Sequence, residues 1–162
     1  MEKVAIFVDV QNIYYTCREA YGAQFDYSAF WRRVTDNRDV VEATAFAIDR
    51  GDQKQRRFQE ILRSIGFNVK LKPYIRRADG SAKGDWDVGI VLDVLEAAPK
   101  VDTIVLASGD GDFDLLVQRL RDRHKLIVEV DGVPQLTARS LVDSATRFSP
   151  IDTELLLSRT DD

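Results

Sequence analysis

Four aspartates in three separate segments of the chain could together hold a cation. Asp9 ends the apolar run "VAIFV", Asp87 stands in "KGDWDVGIVLD", and Asp110 and Asp112 flank a glycine in "SGDGDFD". Carboxyl groups that lie close together repel one another unless a cation relieves the repulsion. Oxygen ligands of this kind suit Mg²⁺ or Mn²⁺. The chain has one histidine and one cysteine, which are too few for an ordinary zinc site.

The hydrophobic pattern predicts the elements that would position these acids. Short apolar, β-branched runs alternate with longer segments of helical period, which is typical of a mostly parallel sheet covered by helices. In such a sheet, ligands bind beyond the carboxyl ends of the strands, where the strand order reverses. The loop "SGDGDFD" follows one of these apolar runs. Its Gly109 and Gly111 permit the tight turn and close approach that such a loop needs. We predict strands at 4–8, 40–48, 67–75, 103–107 and 126–130, and helices at 12–21, 28–34, 53–65, 85–97, 113–121 and 137–145.

Asp87 is the most informative acid, because it lies on the apolar stripe of its predicted helix. A charge that faces inward is costly unless it is paired or bound to a metal. A helix N-terminus offsets only about 0.3–1 kcal/mol of that cost. Asp85 is the other acid at the start of this segment. The position of Asp87 on the apolar stripe favours Asp87 over Asp85 as the metal ligand. The apolar residues that follow Asp87 at helical spacing are Ile90, Val91, Val94, Leu95 and Ala98.

Each polar residue near these motifs also has a purely structural explanation. Asp112 could cap the helix that follows it, Asp110 could brace the turn, and Asn12 could cap the first helix. Asp93 lies about 120° around the helix from Asp87. We therefore predict that Asp93 supports the site or a neighbouring helix and does not bind the metal. The convergence of several acids on one edge of the sheet favours a metal site over these separate explanations.

Charge is unevenly distributed along the chain. The net charge of −4 argues weakly against a nucleic-acid partner, yet residues 50–83 alone carry +7 and the remainder −11. A polyanion could meet the basic segment while the acidic remainder holds cations. The alternative is a solvated helix face followed by a polar hairpin. The ten basic residues of the segment are Arg50, Lys54, Arg56, Arg57, Arg63, Lys70, Lys72, Arg76, Arg77 and Lys83.

Length and composition favour a single domain over residues 1–162 in a reducing compartment. A chain of 162 residues has the size of one ordinary domain, and Cys17 alone cannot form an internal disulfide. The N-terminus turns acidic at Asp9 before an apolar run long enough for export. No stretch approaches the roughly 20 apolar residues of a membrane span. We therefore expect a cytoplasmic protein without a membrane partner.

Three motifs occur in a characteristic order: "FVDVQN" at 7–12, "KGDWDVGIVLD" at 83–93 and "SGDGDFDLLV" at 108–117. Together they resemble the NYN domains of the LabA-like group, within the PIN-like nuclease superfamily. The later "LTARSLVDSATRFSPI" resembles the closing helix and strand of that family, so the resemblance covers nearly the whole chain. It implies a three-layer, Rossmann-like α/β fold. The implied sheet is mostly parallel and five-stranded, with order 3-2-1-4-5 and helices on both faces.

The resemblance also implies a site and an activity. It implies that Asp9, Asp87, Asp110 and Asp112 are the catalytic metal ligands, with Asn12 in support. It implies cleavage of RNA that depends on a divalent metal, Mg²⁺ or Mn²⁺. To this we add the prediction that Ser108, with Asn12, orients water or a ligand. The residues that we expect to contact the RNA phosphates are Lys83, Arg76 and Arg77.

Two other functions are compatible with the sequence. One is a regulatory module that binds RNA or protein and has weak or no catalysis. The other is a phosphatase of the haloacid dehalogenase type, which also uses an aspartate at the end of its first strand. That chemistry requires a second acid two residues later, where this chain has Gln11. A homodimer is compatible with the sequence, but no particular patch indicates one.

Overall fold

The computed structural model describes residues 1–73, 75–76, 82–83 and 85–157. Within this part of the chain, a six-stranded sheet has only parallel neighbours, in the order β3-β2-β1-β6-β7-β8. Two further short strands pair as an antiparallel hairpin. The strands are β1 (Glu2–Asp9), β2 (Arg38–Asp49), β3 (Asn68–Pro73), β4 (Ile75–Arg76), β5 (Ala82–Lys83), β6 (Thr103–Ala107), β7 (Ile127–Gly132) and β8 (Arg147–Pro150).

The sheet differs from the prediction in having six strands instead of five. The expected order is correct for the five strands that were predicted, and β8 is added beyond β7 at the edge of the sheet. This edge strand is only four residues long, with a partly exposed sequence, "RFSP". It therefore lacks the apolar run that marks a central parallel strand. Its backbone pairing with β7 defines it as a strand.

Along the chain, helices connect the successive strands of the main sheet, as in a fold built from parallel crossover connections. Aspartate side chains at positions 9, 26 and 52 cap α1, α2 and α3, and Gly22 ends α1 in the left-handed conformation at φ 58°. Asp9, and not Asn12, is therefore the cap of the first helix. The helices are α1 (Val10–Tyr21), α2 (Tyr27–Thr35), α3 (Gln53–Ile65), α4 (Asp87–Ala97), α5 (Asp114–Asp122) and α6 (Arg139–Ser144).

Two hydrophobic cores cover the two faces of the sheet. One contains Ile6 and Val8 of β1 with the buried sides of α1, α2 and α3. The other contains Phe7 with the buried sides of α4, α5 and α6. Successive β1 residues alternate between the two cores because strand side chains alternate between faces. The result is the expected three-layer arrangement.

The topology places the site at the carboxyl edge of the sheet. The chain runs from β1 to β2 on one side, whereas β6 pairs with the other side of β1. The strand order therefore reverses between β1 and β6, and a crevice forms outside their carboxyl ends. Within the described ranges, no helix has the length and apolar character needed to cross a membrane.

Candidate metal centre

Asp9 is fixed at the end of β1 by hydrogen bonds from two different segments. Its Oδ1 accepts the backbone N–H of Asn12 at 3.4 Å, and its Oδ2 accepts the Ser108 hydroxyl at 3.1 Å. The same hydroxyl accepts the backbone N–H of Asp110 at 3.2 Å. Ser108 therefore ties the end of β1 to the loop after β6.

Asn12 makes a second connection between the same elements. Its side-chain Oδ1 accepts the backbone N–H of Gly109 at 2.8 Å. Because Asn12 lies in the first turn of α1, this bond fixes the start of that helix against the loop. In the structure, Asn12 and Ser108 therefore position the acidic loop. The predicted role in orienting water or a ligand remains a prediction.

The loop after β6 holds Asp110 and Asp112 in a close turn. Asp110 Oδ1 accepts the backbone N–H of Asp112 at 2.9 Å, so Asp110 braces the turn. The glycines permit close approach: a Cβ at Gly109 would lie 2.8 Å from the Leu136 carbonyl oxygen, and one at Gly111 would lie 2.8 Å from Ala138 Cβ. Larger residues at either position would push the loop away from the segment before α6.

Asp87 is the first residue of α4 and enters the site from a third segment. The buried side of this helix contains Ile90, Val94 and Ala97, in agreement with the predicted apolar stripe. Asp87 itself is half-buried at the end of that stripe. Its backbone N–H donates to Asp85 Oδ1 at 3.2 Å, so the preceding acid holds the start of the helix.

Three of the four predicted ligands form a compact group. Asp87, Asp110 and Asp112 each offer a carboxylate oxygen, and these oxygens lie within 4.8 Å of one another. Among the residues that the structure describes, this group has a geometry suited to a metal ion. Asp9 is not part of the group, although its charge contributes to the raised pKa of Asp87. The structure thus brings three acids together and leaves Asp9 beside them.

Burial and mutual repulsion make this edge unfavourable for ionised carboxylates. Burial, and then the charge of Asp110, raise the pKa of Asp87 to about 7, and Asp85 and Asp9 add to the effect. Burial also raises the pKa of Asp9 to about 6, against the hydrogen bonds from Asn12 and Ser108, which lower it. A cation at this edge would favour the ionised forms.

Comparisons with known proteins agree with this architecture. Residues 3–152 match the NYN domain family. The chain belongs to the NYN domain family. The Low amplitude and bright protein LabA of Synechococcus elongatus is 32% identical over 160 residues, covering 90% of this chain and 82% of that protein. The crystal structure of VPA0982 from Vibrio parahaemolyticus, a protein of unknown function, has a TM-score of 0.92 and 59% identity, and covers 96% of each chain.

The match to the NYN family confirms the family that the three motifs indicate. NYN domains belong to the PIN-like nuclease superfamily and are generally nucleases. The solved relative supports the three-layer α/β fold with a mostly parallel sheet. The acidic group of this NYN domain is the feature that indicates its chemistry.

Several residues predicted to serve the NYN site lie elsewhere or outside the described residues. Asp93 forms an ion pair with Lys70 of β3 and does not belong to the acidic group. The six-residue separation from Asp87 turns its side chain toward this neighbouring strand. Arg77 lies outside the described residues. Only the backbones of Arg76 and Lys83 are described, so their predicted phosphate contacts remain predictions.

Asp85 and Trp86 contribute to the site in ways that the sequence analysis did not predict. Asp85 holds the N–H of Asp87, and its charge raises the pKa of that acid. Trp86 Nε1 donates to the Ala47 carbonyl at 2.8 Å, and Lys72 Nζ lies 4.7 Å from the Trp86 ring centre. The D-x-D spacing shared by 85–87 and 110–112 was the available signal for Asp85.

Proposed function

We propose that this protein is a ribonuclease that hydrolyses RNA phosphodiester bonds and depends on Mg²⁺ or Mn²⁺. The observation that carries the proposal is the group formed by Asp87, Asp110 and Asp112, whose carboxylate oxygens lie within 4.8 Å of one another. Membership of the NYN family supports a nuclease over a phosphatase of the haloacid dehalogenase type. Gln11, where such a phosphatase has its second acid, lies in the first turn of α1.

The donor set fits a hard divalent cation. All three side chains offer carboxylate oxygens, which are the ligands that Mg²⁺ and Mn²⁺ prefer. Oxygens on opposite sides of Mg²⁺ lie about 4.2 Å apart, since each Mg–O distance is about 2.1 Å. Neighbouring oxygens lie only about 3.0 Å apart, and three ligands of one ion include at least two neighbouring pairs. The oxygens observed here, which lie within 4.8 Å of one another, would therefore move closer together around an ion.

The protein residues have distinct roles in this proposal. Asp87, Asp110 and Asp112 hold the cation, and Asp9 adds a fourth negative charge from the end of β1. When bound, a divalent cation would activate a water and stabilise the charge that develops on the scissile phosphate. Ser108 and Asn12 are positioning residues, because their hydrogen bonds connect the acidic loop to β1 and α1.

Basic side chains near this edge support an RNA substrate. Lys72 lies over Trp86, next to the start of α4, and donates to the Asp85 carbonyl at 3.2 Å. Exposed lysine and arginine side chains on α3 extend the positive surface. A lysine or arginine that contacts an RNA phosphate releases a bound counterion, which favours binding. We expect Arg76, Arg77 and Lys83 to contribute further phosphate contacts. The exposed basic residues in the first turns of α3, which follow the carboxyl end of β2, are Lys54, Arg56 and Arg57.

Cleavage of a labelled single-stranded RNA with Mg²⁺ or Mn²⁺ tests the proposal. Asp87→Asn, Asp110→Asn and Asp112→Asn should each lower the rate by at least about 100-fold, since loss even of an outer partner of a metal site costs about 10–100-fold. Asp122→Asn is the matched control, because Asp122 is an exposed acid at the end of α5. Equal activity in all variants would refute the assignment of the site. Absence of metal-dependent cleavage by the native protein would refute the function.

A further inference from the structure

Two neighbouring tyrosines on α1 expose their rings to solvent. Tyr14 is 47% exposed and Tyr15 is 46% exposed. Their ring centres lie 5.3 Å apart, with an angle of 78° between the ring planes. The buried side of the same helix is formed by other residues, including Ile13 and Cys17. The two rings therefore contribute to the surface of α1 and not to its packing against the sheet.

Tyr15 lies on the side of α1 that is hydrogen-bonded to the acidic loop, and the Tyr14 ring adjoins it. Asp9 caps α1, and Asn12 in its first turn is hydrogen-bonded to the acidic loop through Gly109. Tyr15 follows Asn12 by three residues and so lies on the same side of the helix. The pair begins about 7.5–9 Å along the helix from Asp9. Because side chains of a helix lean toward its N-terminus, the rings lean toward the carboxyl edge of the sheet.

Each tyrosine hydroxyl has an arginine beside it. Arg18 Nη1 lies 3.4 Å from the Tyr14 hydroxyl, and Arg50 Nη2 lies 3.5 Å from the Tyr15 hydroxyl. Proteins that bind single-stranded nucleic acids combine aromatic rings, on which bases stack, with positive charges that follow the backbone. This surface has both components, and it adjoins the edge where the candidate metal ligands lie.

We propose that Tyr14 and Tyr15 form a stacking platform for unpaired bases of the RNA that enters the metal centre. The inference rests on the proposed RNA substrate and adds that the substrate is single-stranded at this point. In a duplex, the faces of the bases are covered by their neighbours. Rings inclined at 78° accept bases in two different planes, which requires a strand that bends between two nucleotides.

Binding measured without cleavage tests the platform separately from the nuclease activity. The probe is a fluorescently labelled single-stranded oligouridylate, and its polarisation is measured with the native protein in EDTA. The double variant Tyr14→Ala/Tyr15→Ala should bind at least about tenfold more weakly, given the usual contribution of one stacked base. Tyr14→Phe and Tyr15→Phe should bind like the native protein, because each keeps its ring.

Two controls separate stacking from a general loss of apolar surface or charge. Val41→Ala removes another exposed apolar side chain (42% exposed) in the amino-terminal half of β2 and should leave affinity unchanged. An oligonucleotide of the same length without bases should bind the native protein and the Tyr14→Ala/Tyr15→Ala variant equally. A duplex of the same length should also give equal affinities. Circular dichroism of each variant verifies that the fold is intact.

The outcomes distinguish this inference from the proposed function. If the double alanine variant binds the single strand as tightly as the native protein, the platform is refuted, whether or not the protein cleaves RNA. A tyrosine effect that persists with the strand lacking bases would also refute it, as would failure of the native protein to bind the single strand. Tyrosine-dependent binding without metal-dependent cleavage would support the platform and refute the nuclease.

Discussion

Asp110 accepts the backbone N–H of Asp112 at 2.9 Å, while both carboxyl groups belong to the same set of potential metal ligands. The same D-x-D arrangement occurs at the start of α4, where Asp85 Oδ1 accepts the N–H of Asp87 at 3.2 Å. In each pair, the first acid fixes the backbone of the second. Asp110 contributes to the group as well, whereas Asp85 acts on it through its charge and its hydrogen bond.

Metal affinity is expected to rise with pH up to about 7. Burial and the charge of Asp110 raise the pKa of Asp87 to about 7, so a cation must displace a proton from this carboxyl at lower pH. Calorimetry with Mn²⁺ in buffers of different ionisation enthalpy should show proton release on binding below about pH 7. Asp122→Asn should behave like the native protein. A native affinity that does not change between acidic and neutral pH would contradict this prediction.

Asp110→Asn should stabilise the metal-free protein while removing its response to metal. The asparagine keeps an oxygen that can accept the Asp112 N–H. It removes one charge from the acidic group, and two charges 4 Å apart in water repel by about 1 kcal/mol. Urea unfolding in EDTA should therefore show a free energy of unfolding higher by up to about 1 kcal/mol.

Added Mn²⁺ supplies the second half of that test. A ligand that binds only the folded state raises the free energy of unfolding of the native protein. The Asp110→Asn variant should lose most of this increase, and Asp122→Asn should retain it. Lower stability of Asp110→Asn in EDTA would show that Asp110 serves mainly to stabilise the loop.

Gly111→Ala should test the close packing of the acidic loop against Ala138. An added Cβ at Gly111 would lie 2.8 Å from Ala138 Cβ, so Gly111→Ala must displace one of the two segments. We expect a loss of about 1–3 kcal/mol in the free energy of unfolding, which is typical of overpacking. We also expect weaker Mn²⁺ binding, because the neighbouring residues Asp110 and Asp112 would move.

The double variant Gly111→Ala/Ala138→Gly provides the matched control. It removes the methyl group that the new side chain would meet, and so should recover much of the stability and metal affinity. Ala138→Gly alone shows the cost of the second change by itself. If the double variant is no better than Gly111→Ala, the contact does not determine the position of the loop.

Asp131 should make the fold less stable as pH rises from about 4 to 7. Its side chain is 1% exposed, and its Oδ2 has no hydrogen-bond partner among the described residues. Burial, and then the charge of Glu129, raise its pKa to about 7, although Arg33 and Arg38 oppose the shift. Because the folded protein holds this proton more tightly than the unfolded chain, its stabilising effect is complete below about pH 4 and lost through pH 7.

Asp131→Asn isolates this effect, because the variant cannot ionise at this position. The free energy of unfolding of the native protein should fall relative to that of the variant by a few kcal/mol, of the order of 1.4 kcal/mol per pH unit, across this range. Chemical denaturation in EDTA at several pH values measures the difference. Asp87 and Asp9 titrate in the same direction in both proteins, so their contributions cancel. Parallel pH profiles would contradict the prediction.

The hydrophobic pattern of the sequence determined most of the fold. Strand β6 has the predicted limits, residues 103–107, because its run is fully buried and bounded by polar turns. The motifs also placed Asp87, Asp110 and Asp112 on one edge, since strand ends and helix starts meet there. Strand β8 was left out of the predicted five-stranded sheet, although the family resemblance implied a closing strand near its position, because a short edge strand is identified by its backbone partners and has no apolar run of its own.

Only the tertiary structure decided which acids form the compact group and which make other contacts. Asp9 is as conspicuous in the sequence as Asp110, yet its carboxylate is engaged by Asn12 and Ser108 and lies outside the compact group. Asp93 pairs with Lys70 from a distant segment. A sequence pattern reports the face of an element on which a side chain lies. Distances of a few ångströms between oxygens depend on how separate elements pack and on the hydrogen bonds that fix each side chain.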